Sequence, residues 1–178
     1  PFPRTEEAVW GELASYYAMI SEVDDNIGKI LDALEKSGKY ENTIIIFASD
    51  NGLAVGQHGL IGKQSLYDHS IRVPLIFSGP GIKKGVRTES LVYLHDLFPT
   101  IADLVGIKKS KIIDAKSLKP ILDNPNETIR ETVFFLYKNF QRGVRTKDWK
   151  LIKYLVDGWQ TTQLFDINKD PLEMNNLV

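Results

Sequence analysis

The sequence predicts an α/β protein whose carboxyl-terminal part is a small antiparallel β subdomain accompanied by a helix. Three observations carry this expectation. A long apolar pattern of helical period opens the chain, a short β-branched run follows it and stops on Ser-Asp-Asn-Gly, and four short strand-like segments are crowded beyond residue 130. The division is placed between 113 and 114, giving an α/β part over 1–113 and the β subdomain over 114–178.

Leu13, Tyr16, Tyr17, Ile20, Val23, Ile27, Ile30, Leu31 and Leu34 recur at steps of three and four, which gives a helix one apolar face, and Ser37-Gly38 supplies its stop. Asp24, Asp25 and Asn26 point in different directions on such a helix and read as a solvated face. Thr43 to Ala48 is a run with the composition of a strand covered on both faces of a parallel sheet, where ligand sites gather at carboxyl ends. A second strand, Val73 to Ser78, is ended by Gly79-Pro80-Gly81. Leu97 to Val105 has helical spacing, with Asp96 as its cap, Pro99 in its first turn, and Gly106 closing it. His95 is then a hydrogen-bonded boundary residue.

From Asp114 to Thr128 lysine, proline and asparagine accumulate, so the segment reads as a connector with one short helix at Leu118 to Leu122. Val133 to Tyr137, Gln141 to Arg145, Trp149 to Val156 and Gln160 to Phe165 read as strands, the last two joined by an Asp157-Gly158 turn. Trp149 and Tyr154 are read as cross-strand packing rather than a sugar-stacking platform, and Trp159, beside the turn, is left open between the two.

Composition limits the partners. With 43% hydrophobic and 25% charged residues, and a net charge of -1, the chain has the makeup of a packed domain and no basic footprint for nucleic acid. No apolar run is long enough to span a membrane. Lys108, Lys109, Lys111 and Lys116 form a mild basic cluster that reads as a solvated loop. There is no cysteine, which excludes disulfides and thiolate metal ligands without assigning a compartment.

The segment after the first strand holds an acid, an amide, a histidine and a lysine within fourteen residues. Asp50 offers carboxylate oxygens and Asn51 an amide oxygen, the hard donors that Ca²⁺ or Mg²⁺ prefers, and Gly52 lets the chain turn away. Lys63 can hold an anionic oxygen as a point charge, and His58 can donate a hydrogen bond or move a proton near neutral pH. Singly, each has a bland reading: Asp-Asn-Gly makes Asx turns, and lone lysines and histidines are mostly solvated or packed. Their conjunction directly after a buried strand favours a metal and oxyanion site.

These same residues carry a family resemblance. SDNG, then GQHG, then GKQSLYDHSIRVPLIFSGPGI resembles the carboxyl-terminal part of the formylglycine-dependent sulfatases of the alkaline phosphatase superfamily. VDDNIGKILDALEKSGKYENTIIIFASDNG, HDLFPTIADLVGI, GVRTKDWKLIKYL and LFDINKDPLEMNNL extend the likeness over nearly the whole chain. The resemblance implies an alkaline-phosphatase-like α/β domain, Asp50 and Asn51 as ligands of the active-site Ca²⁺ (or Mg²⁺), Lys63 on the sulfate group, and His58 in the pocket with its role unfixed. His69 and Arg72 are read as structural.

The family's nucleophile is a formylglycine made from the cysteine or serine of a Cys/Ser-x-Pro-x-Arg motif, which this chain lacks. The resemblance therefore implies a fragment of a sulfuric ester hydrolase acting on aryl or sugar sulfates, inactive alone, whose partners are a sulfated small molecule or glycan and the amino-terminal portion of the same enzyme. Two donors against the roughly 6–8 oxygens that Ca²⁺ takes also predict weak metal binding. A periplasmic, secreted or lysosome-like compartment follows from the resemblance only. The alternatives are a phospho- or phosphonate-ester hydrolase and a non-catalytic glycan-binding or assembly module.

Overall fold

The computed structural model describes residues 5–108 and 113–178. Of the basic cluster, Lys109 and Lys111 lie outside the described residues; Lys116 is more than solvated, since its ammonium donates to the Ile129 carbonyl at 2.8 Å. Two compact units result. The described residues up to Lys63, with His69–Gly81, form one; Gln64–Asp68, with the described residues from Ile82 onward, form the other.

The first unit opens with helix α1, Glu6–Lys36. The Thr5 hydroxyl accepts from the Ala8 N–H at 3.3 Å, Glu6 and Glu7 sit at the positive end of the dipole, and Ser37 ends the helix by donating its N–H to the Ala33 carbonyl. Leu13, Tyr16, Ile27, Leu31 and Leu34 of the expected apolar face are half-buried, whereas Tyr17, Ile20, Val23 and Ile30 are exposed. Asp24, Asp25 and Asn26 are solvated: Asn26 donates to the Glu22 carbonyl and accepts from Lys29.

Strands β1, Ile45–Ala48, and β4, Leu75–Ser78, pair antiparallel, with Ile45 opposite Ser78 and Ala48 opposite Leu75. This corrects the expectation of a parallel, doubly covered strand. A β-branched apolar run specifies an extended, buried-prone segment, but its direction relative to a neighbour is set by how the connection returns, and here the chain doubles back through 49–74. The cross-strand pair Phe47 and Ile76 remains 40% and 57% exposed. Between them lie the two-residue strands β2, Ala54–Val55, and β3, Ile61–Gly62, also antiparallel, with Ala54 and Val55 buried. A single helical turn, α2, covers Asp68–Ile71.

In the second unit α3 spans Leu97–Leu104 and α4 Lys119–Asp123. Asp96 does not cap α3 as expected. Its carboxylate reaches back to the Tyr93 N–H (2.8 Å), out to the Lys116 N–H (2.9 Å), and forms a two-nitrogen pair with the Arg130 guanidinium. Burial pushes this fully buried carboxyl up, but Arg130 and the two backbone N–H groups outweigh it and hold it below the usual range. Thr100 links the layers, donating to the Asp96 carbonyl and accepting from the Leu118 N–H. His95, expected as a hydrogen-bonded boundary residue, lies flat on Tyr93, ring centroids 4.9 Å apart.

The sheet runs β5 (Val133–Tyr137), β6 (Gln141–Arg145), β7 (Trp149–Val156), β8 (Trp159–Asp166), each antiparallel to the next. The last strand is one residue longer at each end than the sequence suggests. Asp157 and Gly158 both have positive φ (48° and 80°), the geometry of a two-residue turn whose twist matches the strands. Trp149 pairs with Asp166 and Val156 with Trp159, so the two tryptophans lie at opposite ends of one hairpin, roughly 23 Å apart at about 3.3 Å per residue. They form no common platform. The inner face carries Val133, Ile152 and Phe165, all at most 3% exposed, against Leu66 and Tyr67. Each such side chain contributes about 1.5–3 kcal/mol of burial.

Charge is buried there too. Lys150, with no exposure, sets its ammonium 2.9 Å from Asp68 and 2.5 Å from Glu173, while Arg145 pairs with the same Asp68 carboxylate. Two acids face two bases, so the cluster is formally neutral. Burial pushes the Asp68 carboxyl up, but the Lys150 charge and the hydrogen bonds from Arg145 and Lys150 more than offset it and hold it low.

Candidate functional site

The candidate residues all lie in the first unit, on the chain leaving β1. Ser49 continues the ladder by donating its N–H to the Pro74 carbonyl, and its hydroxyl donates to the Asn51 carbonyl at 3.0 Å. The strand therefore ends on a fixed turn rather than a loose tail. Asp50 stands exposed at its tip. Asn51 is half-buried, and its amide nitrogen donates to the Gly52 carbonyl at 2.8 Å and, at a long 3.5 Å, to the Lys63 carbonyl. Spending the nitrogen on backbone turns the amide oxygen away from those two carbonyls.

Gly52 is fixed by lack of room. A Cβ at this position would stand 2.0 Å from the His69 carbonyl oxygen, and the Gly52 N–H donates to the Ser70 carbonyl at 2.8 Å. Only glycine allows these two backbone segments to meet. That contact brings the turn after β1 against the start of α2, although the two are separated by some seventeen positions in sequence.

His58 lies in a short 3₁₀ turn at φ 53°, ψ 23°, a left-handed backbone that a non-glycine residue adopts at some expense and that marks sites held by their surroundings. Its ring is half-buried and tilted against that of His69, centroids 5.6 Å apart. Lys63 follows β3 and is exposed. The structure thus brings the Asn51 side chain to the Lys63 backbone, and His58 to His69. His69, read from sequence as structural, stands against His58, and nothing in its spacing from Gly52 or His58 announces that loop closure juxtaposes them. Among the described residues no group of three or more histidine and acidic side chains is placed to hold a metal ion, so Asp50 and Asn51 stand as a pair of donors.

Chemically, the arrangement offers one exposed carboxylate, one oriented amide oxygen, one ammonium and one imidazole around a closed turn. None of these four side chains is a hydroxyl or a thiol. The arrangement can hold part of a hard cation's shell and part of an oxyanion's counter-charge.

The pattern described as Sulfatase matches residues 2–107, and that described as N-sulphoglucosamine sulphohydrolase, C-terminal, matches residues 56–178. An N-acetylglucosamine-6-O-sulfatase of Bacteroides thetaiotaomicron is 35% identical over 93% of this chain, and a choline-sulfatase of Rhizobium meliloti 35% identical over 99%. The chain spans about a third of such relatives, 32% and 35% of their lengths. A protein solved with its substrate D-glucosamine-2-N,6-O-disulfate superposes with a TM-score of 0.85 at 36% identity, over 91% of this chain and 35% of that one. A phosphonate monoester hydrolase from Silicibacter pomeroyi gives 0.81 at 28% identity, over 94% and 37%. The fold is the alkaline-phosphatase-like α/β arrangement of these neighbours with a small antiparallel β subdomain. With both patterns spread across most of its length, the chain belongs to the sulfatase family.

Proposed function

We propose that this chain carries the metal- and oxyanion-binding half of a sulfatase active site, and that the protein containing it hydrolyses sulfate esters, with sulfated sugars the leading substrate class. The observation that carries the reading is the closed turn at the end of β1, where Asp50 and the oriented Asn51 amide stand in one compact unit with His58 and Lys63. The sugar preference is supported by the relatives, one named as an N-acetylglucosamine-6-O-sulfatase and one solved with a glucosamine disulfate.

The donor set suits Ca²⁺ or Mg²⁺. Asp50 and Asn51 supply two hard oxygens of the six to eight needed, and the rest come from water or from other segments of the protein. A cation bound there neutralises charge on the sulfate oxygens. Lys63 adds a positive charge where the transferring group gathers negative density, and His58 adds an imidazole able to donate a hydrogen bond or exchange a proton near neutrality. The nucleophile, a formylglycine in this reading, comes from outside this chain.

The test is Lys63→Ala in the full-length protein, assayed with para-nitrophenyl sulfate and a glucosamine sulfate. Loss of one such preorganised charge lowers turnover on the order of 10²–10³. Kinetics near those of the unaltered protein would remove Lys63 from the site. The phosphonate monoester hydrolase likeness gives a second reading, a phosphonate- or phosphoester hydrolase, which predicts a larger kcat/KM on a phosphonate monoester than on either sulfate.

A further inference from the structure

We propose, resting on the reading of His58 given above, that His69 is a positioning residue of the candidate site: its ring orients the His58 imidazole, while its backbone is locked to the turn that presents Asp50 and Asn51.

His58 rides at the tip of the hairpin formed by β2 and β3, in the connection 56–60. That connection is closed on itself: the Gly56 N–H donates to the Leu60 carbonyl (2.9 Å), the Gly59 N–H to the Gly56 carbonyl (3.0 Å) and the Leu60 N–H to the Gln57 carbonyl (2.9 Å). These bonds, with the left-handed backbone of His58, fix where its Cα–Cβ bond points. They do not fix the ring. The second side-chain torsion of a histidine is broad and roughly two-fold, so neighbours decide the ring plane and which of two unlike nitrogens meets a ligand. His69 is such a neighbour, with 5.6 Å between ring centroids, a tilt of 38°, and both residues half-buried. That separation falls inside the roughly 4.5–7 Å over which flat rings attract and fit one another.

The backbone of His69 makes it more than a packing neighbour. Its carbonyl oxygen fills the space that a Cβ on Gly52 would need. The next residue, Ser70, has no exposure and accepts the Gly52 N–H at 2.8 Å, and further along Pro74 accepts the Ser49 N–H at 3.3 Å. The stretch 69–74 is thus laid along the turn that follows β1. One residue therefore meets both parts of the site, its backbone against the turn of Asp50 and Asn51 and its ring against His58, and all of these groups belong to the same compact unit. A group that donates a hydrogen bond or exchanges a proton works only from a fixed place, since a misplacement of about 1 Å can cost on the order of 10² in rate.

The test is a double-mutant cycle on His58 and His69 in the full-length protein, with kcat and KM for para-nitrophenyl sulfate. Substituting the His69 side chain leaves its carbonyl on Gly52 and removes the ring alone. His58→Ala should lower kcat on the order of 10²-fold, the low end for a lost proton donor or acceptor. His69→Ala should lower kcat about tenfold or more, with KM within about twofold of the unaltered protein. His69→Phe, which keeps a flat ring, should recover most of that loss, and the double variant should be no slower than His58→Ala alone. If His69→Ala leaves kcat unchanged, if the two losses multiply in the double variant, or if His69→Phe is as slow as His69→Ala, the ring does not act through His58 and the inference is overturned while the site stands. If His58→Ala leaves kcat unchanged, the reading of His58 fails and the inference with it. Should His69→Ala fail to fold, His69→Leu, which keeps bulk without a flat ring, takes its place in the cycle with the same outcomes.

Discussion

Replacing Asp96 with asparagine should strongly destabilise the second unit. The carboxylate is fully buried and is met by four donors: the Tyr93 and Lys116 N–H groups and two nitrogens of Arg130. Asparagine keeps the volume, turns one acceptor into a donor facing donors, and leaves Arg130, 9% exposed, without its counter-charge. Hydrogen bonds to charged groups contribute about 1.5–3 kcal/mol each but do not add when they share one acceptor, so the applicable figure is that for breaking a buried pair, roughly 3–5 kcal/mol. At about 2–4 °C per kcal/mol for a chain of this size, the transition should fall by roughly 6–20 °C. Trp149 and Trp159 both lie in the second unit and make its unfolding visible by fluorescence. The pH dependence follows from the carboxyl being held low in the folded state. Its contribution is fully present above the ordinary carboxylate value of about 4 and is lost as pH falls through the depressed folded value, so the gap between wild type and variant should close only in strong acid. A shift below about 2 °C at neutral pH, or a gap independent of pH, would refute the account of Asp96 as an ionised node.

Two further outcomes are expected. Gly52→Ala places a Cβ 2.0 Å from a backbone oxygen that has no rotamer to move, so it should destabilise the first unit by at least the 1–3 kcal/mol typical of overpacking. It should also abolish the close approach of Gly52 and Ser70, seen as loss of protection of the Gly52 amide in hydrogen exchange. Calorimetric titration of the chain with Ca²⁺ should give an affinity weaker than millimolar, because Asp50 and Asn51 offer two of roughly 6–8 ligands; tighter binding that survives Asp50→Ala would show that the cation sits elsewhere.

Secondary structure was largely legible in the sequence because it is written locally. Apolar period and turn chemistry place the end of α1, the four strands of the sheet and the Asp157-Gly158 turn within a residue or so, while α1 begins at Glu6, well before Leu13, the first residue of its apolar pattern. Strand direction was not legible, since Thr43 to Ala48 has the same composition whichever way its neighbour runs. Asp96 illustrates the same limit at a single residue: a helix-preceding acid looks like a cap, and only Arg130, thirty-four positions away, makes it a buried ion-pair node. For the candidate site, the identities of Asp50, Asn51, His58 and Lys63 were readable from residue chemistry in one short stretch. The approach of His69, and the convergence of Asp68, Arg145, Lys150 and Glu173, depend on contacts spanning up to about a hundred positions, which no local pattern encodes.

The distribution of exposure explains why such long-range contacts matter for a site whose chemistry is local. Asp50 and Lys63 are exposed, as residues proposed to meet a cation and an anion from solution must be. Exposed charges in water are worth little and move freely. Electrostatic stabilisation of a transferring sulfuryl group requires them to be fixed before it binds, because reorganisation during the reaction would consume the gain. Their rigidity therefore has to come from backbone. On the proposed reading, the contacts that supply it are the close approach of Gly52 to His69 and Ser70 and the left-handed turn at His58. The polar residues thus carry the proposed chemistry, and the backbone contacts behind them hold the turn on which Asp50 and Asn51 sit.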